Sequence, residues 1–261
     1  MSNAQPITGC RPGDVAEHVF LCGDPARIDR IARAWGSVQE VCHVREYRIV
    51  TGNWKGLQLS AASTGIGAPS TAVLLEELMK IGAHSFLRIG NSGGLAPDLE
   101  LGQLVITTGA VRDDGTSKSY VVPEFPAVAD YRVVAALTQA AEQHKARWRT
   151  GITWSLDAFY ARNAVLAERG ELRSLSVNGY WPSHFAARIR DMQAAGVVNC
   201  EMESGILLTL AALFGARAGC ICVVSDRTPW RGPSELDLDR NMETCIAVAH
   251  TAMQTLAAAK N

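Results

Sequence analysis

The chain alternates short apolar runs of strand length with longer segments in which apolar residues recur at helical spacing. Strand-length runs occupy 19–22, 48–51, 57–62, 85–89, 104–108, 151–154 and 218–224. Helical spacing predicts helices from about residue 25 and over 70–81, 132–144, 203–214 and 238–259. This alternation predicts an α/β fold, a three-layer α/β/α sandwich around a central mixed, largely parallel sheet.

The alternation continues through the chain without a break. The sequence shows no internal repeat, no low-complexity tract and no linker. A length of 261 residues is enough for one large α/β domain. We therefore expect a single domain over 1–261, with a β-hairpin turning at 52–56, where glycines flank a short polar segment.

Charge and apolar runs limit the partners of the chain. Twenty-five Lys and Arg nearly cancel 26 Asp and Glu, so no net field attracts nucleic acid or an anionic membrane. The longest apolar stretch, 205–216, is too short to span a bilayer, and residues 1–6 do not resemble a signal peptide. The seven cysteines lack zinc-ligand spacing and are typical of reduced thiols. We expect a cytoplasmic protein with small-molecule partners.

Glycine and short polar residues follow three of the predicted strands. These strand exits are 23–25, 90–94 and 225–226. Functional groups of α/β sheets gather where strands end and loops begin. The three exits together predict a site at the strand ends, although glycines at any one exit could simply form a turn.

Four stretches of the sequence resemble a known family. They are Gly23-Asp24-Pro25-Ala26-Arg27, Ser63-Thr64-Gly65-Ile66-Gly67-Ala68-Pro69-Ser70, Phe86-Leu87-Arg88-Ile89-Gly90 and Glu201-Met202-Glu203-Ser204. In this order and spacing they resemble the nucleoside phosphorylases, which cleave purine nucleosides or uridine, and are most similar to uridine phosphorylases. The resemblance implies a pentosyltransferase of nucleotide salvage that uses phosphate to release a free base and (deoxy)ribose 1-phosphate. Phosphate is a co-substrate, so no cofactor is implied.

The resemblance assigns phosphate binding to Gly23, Arg27 and Arg88, and to Arg45 reaching in from a neighbouring subunit. Guanidinium groups match phosphate oxygens in a bidentate fashion. Arg88 follows an apolar run and should be buried, where a guanidinium needs an anion. Asn91 stands where the family usually has Thr or Ser, and its amide could still donate to phosphate. An Arg45 that completes a neighbouring site implies a homo-oligomer, a dimer or a hexamer.

The ribose is assigned to Glu201, Met202 and Glu203. In the family the second glutamate of this motif binds the 2′ and 3′ hydroxyls, and the methionine lies against the sugar. The alternative is that the acidic residues only stabilise a helix N-terminus. Together with Arg88 and Asp226, Glu203 forms the predicted catalytic set.

The predicted base-binding residues are Phe159, Asn163, Asp226 and Arg240. Phe159 could stack on a base, but Asn163 and Val165 stand where uridine phosphorylases have Gln and Arg. The Ser-Asp that ends at Asp226 is instead typical of purine-cleaving members. A carboxylic acid can protonate a departing purine at N7, and Arg240 would assist it. Asp226 could otherwise be a helix cap.

Three further features are expected from the resemblance. Ile7 stands where family members often have a histidine for the 5′ hydroxyl, which predicts a preference for 5′-deoxy or 5′-modified nucleosides. Glu46, Ile66 and Ser70 match positions that bind potassium between subunits in some uridine phosphorylases. An inserted aromatic segment at 180–185 could cover the base or pack on the subunit surface.

Two other functions remain open from the sequence. A nucleosidase of the same fold would use water and would not need the three phosphate arginines. A non-catalytic nucleoside-binding protein would keep Glu203 and the aromatic residues but would need neither an acid nor a phosphate site. Phosphate dependence separates the first of these from a phosphorylase, and any turnover excludes the second.

Overall fold

The structure is a computed structural model that describes residues 3–167, 169–230 and 236–259. The strands in these ranges are β1 (His18–Cys22), β2 (Gly36–Val44), β3 (Tyr47–Trp54), β4 (Leu57–Ser63), β5 (Ser85–Gly94), β6 (Leu104–Asp113), β7 (Ala127–Val128), β8 (Trp148–Leu156), β9 (Ala164–Leu166), β10 (Leu172–Ser174), β11 (Asn199–Glu201) and β12 (Arg217–Arg227). The α-helices are α1 (Arg27–Ala32), α2 (Ala68–Lys80), α3 (Gly115–Tyr120), α4 (Tyr131–Gln143), α5 (Phe159–Arg162), α6 (Phe185–Ala194), α7 (Ser204–Leu213) and α8 (Met242–Ala258).

One large mixed sheet organises the molecule. Its strands follow the order β11-β8-β6-β12-β5-β1-β4-β3-β2, and the central strands β4, β1, β5 and β12 are parallel. β11 also pairs with β5, so β5, β12, β6, β8 and β11 close into a ring. Parallel strands with their carboxyl ends at one edge place the residues that follow them close together.

Helices cover both faces of the sheet. On one face the apolar sides of α1, α4 and α8 pack on β1, β5 and β12, with Ile28, Leu137 and Met253 fully buried. On the other face α2 and α7 bury Leu74 and Leu207. Burying such a side chain contributes about 1.5–3 kcal/mol. The predicted three-layer α/β sandwich with a mixed sheet is confirmed.

Several predicted elements have different bounds in the structure. The helix predicted over 238–259 begins at Met242, because Asn241 has a left-handed φ of 58° and the preceding residues form a turn. β12 continues through Ser225 and Asp226 to Arg227, with a register shift at Val224 to Asp226, where the strand was expected to end. The predicted hairpin is confirmed as β3 paired antiparallel with β4.

Seven regions of regular structure were not predicted. They are β2, α3, β7, α5, the antiparallel pair β9 and β10, the helix α6 and the short strand β11. β2 is an edge strand whose residues are mostly exposed, so it lacks the apolar alternation of a half-buried strand. Within the described ranges no helix has the length and apolar content needed to cross a bilayer.

Candidate active site

The predicted site residues gather at the carboxyl ends of the central strands. β1 ends at Cys22 beside Ser63, the last residue of β4, and the loops that follow both strands meet there. A Cβ built on Gly23 would lie 3.3 Å from the carbonyl oxygen of Gly65, so only glycine permits this close approach without a shift. Gly23 therefore contributes backbone to the site.

Arg88 is the central charged group. It lies in β5, its side chain is 5% exposed, and Nε donates to Glu201 Oε2 at 3.0 Å while Nη2 donates to Glu203 Oε2. Burial alone would lower the pKa of Arg88, but the Glu203 and Glu201 carboxylates raise it well above its ordinary value. Nη1 is buried and has no hydrogen-bond partner among the described residues. This guanidinium nitrogen can therefore donate to a further acceptor.

The two glutamates have different roles. Glu201 accepts from the backbone N–H of Glu203 and of Ser204, each at 2.9 Å, and from Ser204 Oγ at 2.5 Å. Glu203 makes no capping bond; it accepts from the backbone N–H of Gly67 at 2.6 Å and from Arg88. Burial raises the pKa of the Glu203 carboxyl, and Arg88 opposes that effect. The stabilisation of the α7 N-terminus therefore belongs to Glu201, and Glu203 faces Arg88.

Arg27 lies beside Arg88. It begins α1, is 8% exposed, and donates from Nη1 to the carbonyl oxygen of Ile89 at 3.3 Å. Burial raises the pKa of the Cys22 thiol to about 12, while Arg27 and Arg88 both lower it. Both guanidinium groups therefore lie close enough to the buried Cys22 thiol to lower its pKa. We call Arg27, Arg88, Glu201 and Glu203 the arginine end of the site.

Two thiols and a glycine lie beneath the Arg88 guanidinium. A Cβ on Gly90 would lie 3.0 Å from both Arg88 Nη2 and Cys222 Sγ, so a side chain there would displace the guanidinium or the thiol. Cys220 and Cys222 contact each other at 3.5 Å between sulfur atoms, because residues two apart on a strand share a face. The contact with Cys222 and burial raise the pKa of the Cys220 thiol. The Cys220 thiol is therefore kept in its neutral form.

Asn91 and Arg45 lie apart from this cluster. The Asn91 amide donates to the carbonyl oxygen of Leu238 at 3.2 Å, so in this structure its Nδ2 is engaged with a neighbouring loop. Arg45 is exposed in the turn between β2 and β3, with a left-handed φ of 53°. Their phosphate-binding roles stay predictions.

Two of the three predicted potassium residues come together. A Cβ on Gly65 would lie 2.7 Å from Glu46 Cγ and 3.2 Å from Ser70 Oγ, which places both side chains around one point. Ser70 Oγ donates to the carbonyl oxygen of Thr64. Ile66 is 79% exposed. Potassium binding here stays a prediction.

The partners of Asp226 include two neutral donors. It is 4% exposed, and Oδ1 accepts from Ser225 Oγ at 2.9 Å while Oδ2 accepts from Trp230 Nε1 at 2.8 Å. Asn163 is also buried, and its Oδ1 accepts from Thr228 Oγ1 at 3.1 Å. We call Asn163, Asp226, Thr228 and Trp230 the aspartate end of the site. Sequence reasoning missed Thr228 and Trp230, although both follow the Ser-Asp that it singled out.

Phe159 and Met202 border the aspartate end. Phe159 is 37% exposed, and its ring centroid lies 6.5 Å from that of Trp230 at an interplanar angle of 74°. Met202 is partly buried against the cluster that includes Trp154 and Cys200. Both side chains are placed where a flat ligand could contact them, and their roles stay predictions.

The structure does not bring Arg240 to Asp226. Arg240 Nε donates to Asp237 at 3.2 Å, and its side-chain carbons lie against Gly102. Between described residues, no hydrogen bond or ion pair joins Arg240 to Asp226. The physical reason is that α8 begins at Met242, so Arg240 belongs to the turn before the helix and not to the helix on which assistance was predicted.

The N-terminal segment is anchored by a buried carboxylate. Glu77 of α2 is 5% exposed and accepts from the backbone N–H groups of Ile7 and Thr8, each at 2.8 Å. The Ile7 side chain is 39% exposed. Ile7 is therefore held in a defined place at the surface, and its apolar side chain offers no hydrogen bond.

The inserted aromatic segment divides between surface and interior. Tyr180 is 66% exposed, whereas Trp181 packs against the cluster around Trp154, and Phe185 is buried at the start of α6. A cavity of about 260 Å³ lies nearby, lined by Leu95, Leu166, Arg190 and Thr228 among others. It borders the aspartate end at Thr228 and is not lined by Arg27, Arg88 or Glu203.

Comparisons with known proteins give related names. Residues 17–260 match the family described as the Phosphorylase superfamily. The uridine phosphorylase of Thermococcus kodakarensis is 47% identical over 215 residues, which are 82% of this chain and 74% of that protein. The guanosine phosphorylase of Halorubrum lacusprofundi is 37% identical over 220 residues, 84% of this chain and 82% of that protein.

A solved structure has the same fold. The crystal structure of uridine phosphorylase from Vibrio fischeri superposes with a TM-score of 0.81 at 26% identity and covers 98% of each chain. The similar proteins are thus all named phosphorylases, but their names specify different nucleosides, uridine and guanosine.

Proposed function

This chain belongs to the phosphorylase superfamily, and from that premise we propose that it is a nucleoside phosphorylase, a pentosyltransferase that moves a sugar from a base to phosphate. The observation that carries the proposal is the buried Arg88 guanidinium. Two carboxylates hold Nε and Nη2, while Nη1 has no partner among the described residues. A buried donor without a partner costs about 1–3 kcal/mol, which a bound anion would offset.

Phosphate suits the arginine end because this end contains two buried guanidinium groups, those of Arg27 and Arg88. Arg27 and Arg88 both influence Cys22 at the end of β1, and Gly23 offers backbone at the same loop. A dianion gains from charge-assisted hydrogen bonds to guanidinium nitrogens. A second subunit would add Arg45, which is exposed in this chain. We therefore propose a homo-oligomer in which Arg45 completes a neighbouring site.

We assign binding of the sugar to Glu203. A carboxylate has about four lone-pair positions. Gly67 uses one on Oε1 and Arg88 uses one on Oε2, so each oxygen can accept a further hydrogen bond. The 2′ and 3′ hydroxyls of a ribose would supply those two donors, and Met202 would exclude water beneath the ring.

The reaction requires an attack and a departure on opposite sides of C1′. A phosphate oxygen forms a bond to C1′ while the bond from C1′ to the base nitrogen breaks, and its electron pair leaves with the base. The products are a free base and a pentose 1-phosphate. The arginine end holds the attacking anion in place, which removes much of the entropic cost of the encounter.

Asp226 is our proposed acid for a purine. As the electrons of the C1′–N9 bond enter the base, Asp226 gives a proton to N7, and the neutral purine departs. The carboxylate then takes a proton from water before the next turnover. Uridine is the second candidate, because several relatives are named uridine phosphorylase. Asn163 accepts from Thr228, and Val165 has no polar group, so neither is arranged as a uracil reader.

Three finer proposals come from the sequence. Ile7 favours a 5′-deoxy or 5′-modified sugar; equal turnover of adenosine and its 5′-methylthio analogue would contradict this. Glu46, Ile66 and Ser70 would hold potassium between subunits. We also propose that the protein acts in the cytoplasm, in nucleotide salvage.

A nucleosidase or a simple binding protein accounts for fewer features. A nucleosidase attacks with water and has no use for two buried guanidinium groups at the strand ends. A binding protein has no use for Asp226 held between two donors. The phosphorylase uses both ends of the site.

The test is base release from a nucleoside panel with and without phosphate. The panel holds uridine, thymidine, inosine, adenosine, guanosine and 5′-methylthioadenosine. Phosphate-dependent release of purines supports the proposal with Asp226 as the acid. Phosphate-dependent release of uridine alone keeps the phosphorylase and removes the purine assignment. Equal release without phosphate contradicts the proposed function.

A further inference from the structure

Two backbone hydrogen bonds hold Trp230 in place. It lies three residues beyond Arg227, the last residue of β12. Its N–H donates to the carbonyl oxygen of Ala164 at 2.7 Å, and its carbonyl oxygen accepts from the N–H of Leu166 at 2.8 Å. These two bonds place Trp230 in a parallel bridge beside Val165 of β9. The direction of the indole is therefore set by strand pairing.

Each oxygen of the Asp226 carboxylate accepts a hydrogen bond from a different neutral group. Trp230 Nε1 donates to Oδ2 at 2.8 Å, and Ser225 Oγ donates to Oδ1 at 2.9 Å. An indole N–H can only donate, whereas a serine hydroxyl can donate or accept. Oδ2 is therefore kept as an acceptor. A proton on this carboxyl finds its place on Oδ1, where the Ser225 hydroxyl can turn and accept.

The same indole contacts the ring predicted to stack on the base. Phe159 meets Trp230 in a T-shaped arrangement with centroids 6.5 Å apart. Such aromatic pairs contribute about 0.5–1.5 kcal/mol beyond their buried area. Trp230 thus connects the acid to the base-stacking surface through a single side chain.

We propose that Trp230 is a positioning residue that reserves Oδ2 of Asp226 as an acceptor and so assigns the transferable proton to Oδ1. The proposal rests on the proposed function, in which that proton goes to N7 of the departing purine. The proton leaves Oδ1 as the electron pair of the C1′–N9 bond enters the base. The carboxylate that results keeps the Trp230 hydrogen bond, and Ser225 turns back to donate to Oδ1.

A kinetic comparison tests this role. Trp230→Phe keeps an aromatic ring beside Phe159 but removes the N–H, and Trp148→Phe, in the core on the α4 and α8 face, is the matched control. Inosine needs a proton at N7, whereas 7-methylinosine carries a cationic base and needs none. Losing a hydrogen bond to a charged group should lower kcat/KM for inosine by about ten- to a hundredfold. Turnover of 7-methylinosine should be nearly unchanged.

The pH profile gives a readout that a purely structural defect would not produce. Without the indole donor the Asp226 carboxylate is less stabilised, so the alkaline limb of the inosine profile should move to higher pH. Equal losses for inosine and 7-methylinosine, with an unmoved alkaline limb, would overturn the proposal.

A second measurement needs no substrate. The Trp230 indole N–H resonance, assigned by its disappearance in Trp230→Phe, should shift upfield in Asp226→Ala. It should stay in place in the surface variant Asp98→Ala, whose carboxylate pairs with Arg149. An unmoved Trp230 signal refutes the assignment of Trp230 even if purines are cleaved. A shifted signal in a protein that cleaves no purine instead refutes the purine assignment on which this role of Trp230 rests.

Discussion

The arginine end and the aspartate end of the site are built on different principles. The arginine end holds two buried cations, Arg27 and Arg88, and two buried carboxylates, so its formal charges balance inside the protein. At the aspartate end, an indole N–H and a hydroxyl, both neutral, are among the groups that donate to one buried carboxylate. Breaking a buried ion pair costs more than losing one neutral donor. The first end is therefore also part of the fold's stability, whereas the second can change with less structural cost.

The two ends also take residues from different elements of the fold. Arg88 comes from the middle of the central strand β5, and Glu201 ends β11, which is paired on both sides. Trp230 and Asn163 come from the segments after β12 and before β9. The proposed phosphate end is therefore tied to the sheet through Arg88 and Glu201. The proposed base end adds residues of connecting segments to Asp226 of β12, and sequence changes in such segments disturb the core least.

The largest expected effect is at Arg88. Arg88→Met leaves Glu201 and Glu203 buried without their cation, so the free energy of unfolding should fall by about 3–5 kcal/mol. Urea unfolding measures this, and phosphate-dependent activity should be lost with it. Arg147→Met, which breaks the exposed pair with Glu100, is the control and should cost about 1 kcal/mol or less. Equal free energies of unfolding for the two variants would show that the ion pairs of the arginine end do not stabilise the fold.

Glu203 and Asn163 compare one residue from each end. Glu203→Ala removes a charged acceptor of sugar hydroxyls and should lower kcat/KM by about a hundredfold or more, whereas Asn163→Ala removes a neutral group and should cost about tenfold. Steady-state kinetics at saturating phosphate separates them. A larger loss of kcat/KM for Asn163→Ala would mean that the aspartate end contributes more to catalysis than Glu203 does.

Two glycines of β5 give a matched pair of insertions. A Cβ on Gly90 meets Arg88 Nη2 at 3.0 Å, and a Cβ on Gly93 meets Thr228 Oγ1 at 2.7 Å and Asp226 Oδ2 at 3.0 Å. Gly90→Ala should therefore raise the KM for phosphate, by about tenfold, and Gly93→Ala the KM for the nucleoside by a similar factor. If both variants raise the same KM, the two ends do not act separately.

The smallest effect is expected at Arg45. Arg45→Ala should raise the KM for phosphate about five- to tenfold through loss of one exposed cation from a neighbouring subunit, with no change in the unfolding midpoint. Lys55→Ala is the control, because Lys55 is also a cation in a hairpin turn, with a φ of 50°. Unchanged phosphate kinetics in Arg45→Ala would remove Arg45 from the arginine end.

Much of the fold and of the arginine end could be predicted from the sequence. Apolar runs with clear periodicity gave the central strands and the large helices, because burial on a sheet or helix face imposes that periodicity. Arg88 was recognisable because a charged residue inside an apolar run must be buried and needs a partner. Its partners, Glu201 and Glu203, are more than a hundred residues away, and their place came from a family resemblance rather than from a local pattern.

The aspartate end was predicted less completely, for physical reasons. Trp230 stands alone after Thr228 and Pro229, and no periodic pattern marks a single tryptophan as the partner of a carboxylate. Arg240 was placed on a helix that begins two residues later than it, since a left-handed Asn241 delays the start of α8. The contact between Cys220 and Cys222 follows from strand geometry and could have been predicted.

The ring of strands formed when β11 pairs with both β8 and β5 has a consequence for how the molecule opens. Moving the backbone of β11 away from the sheet requires two ladders to break together, one on each side of β11. Amide hydrogens of β11 and of the middle of β5 should therefore exchange with solvent at the rate of global unfolding, while those of the edge strand β2 exchange by local fraying. In a hydrogen–deuterium exchange experiment, the strands β5 and β11, which carry Arg88 and Glu201, would be the last part of the molecule to take up deuterium.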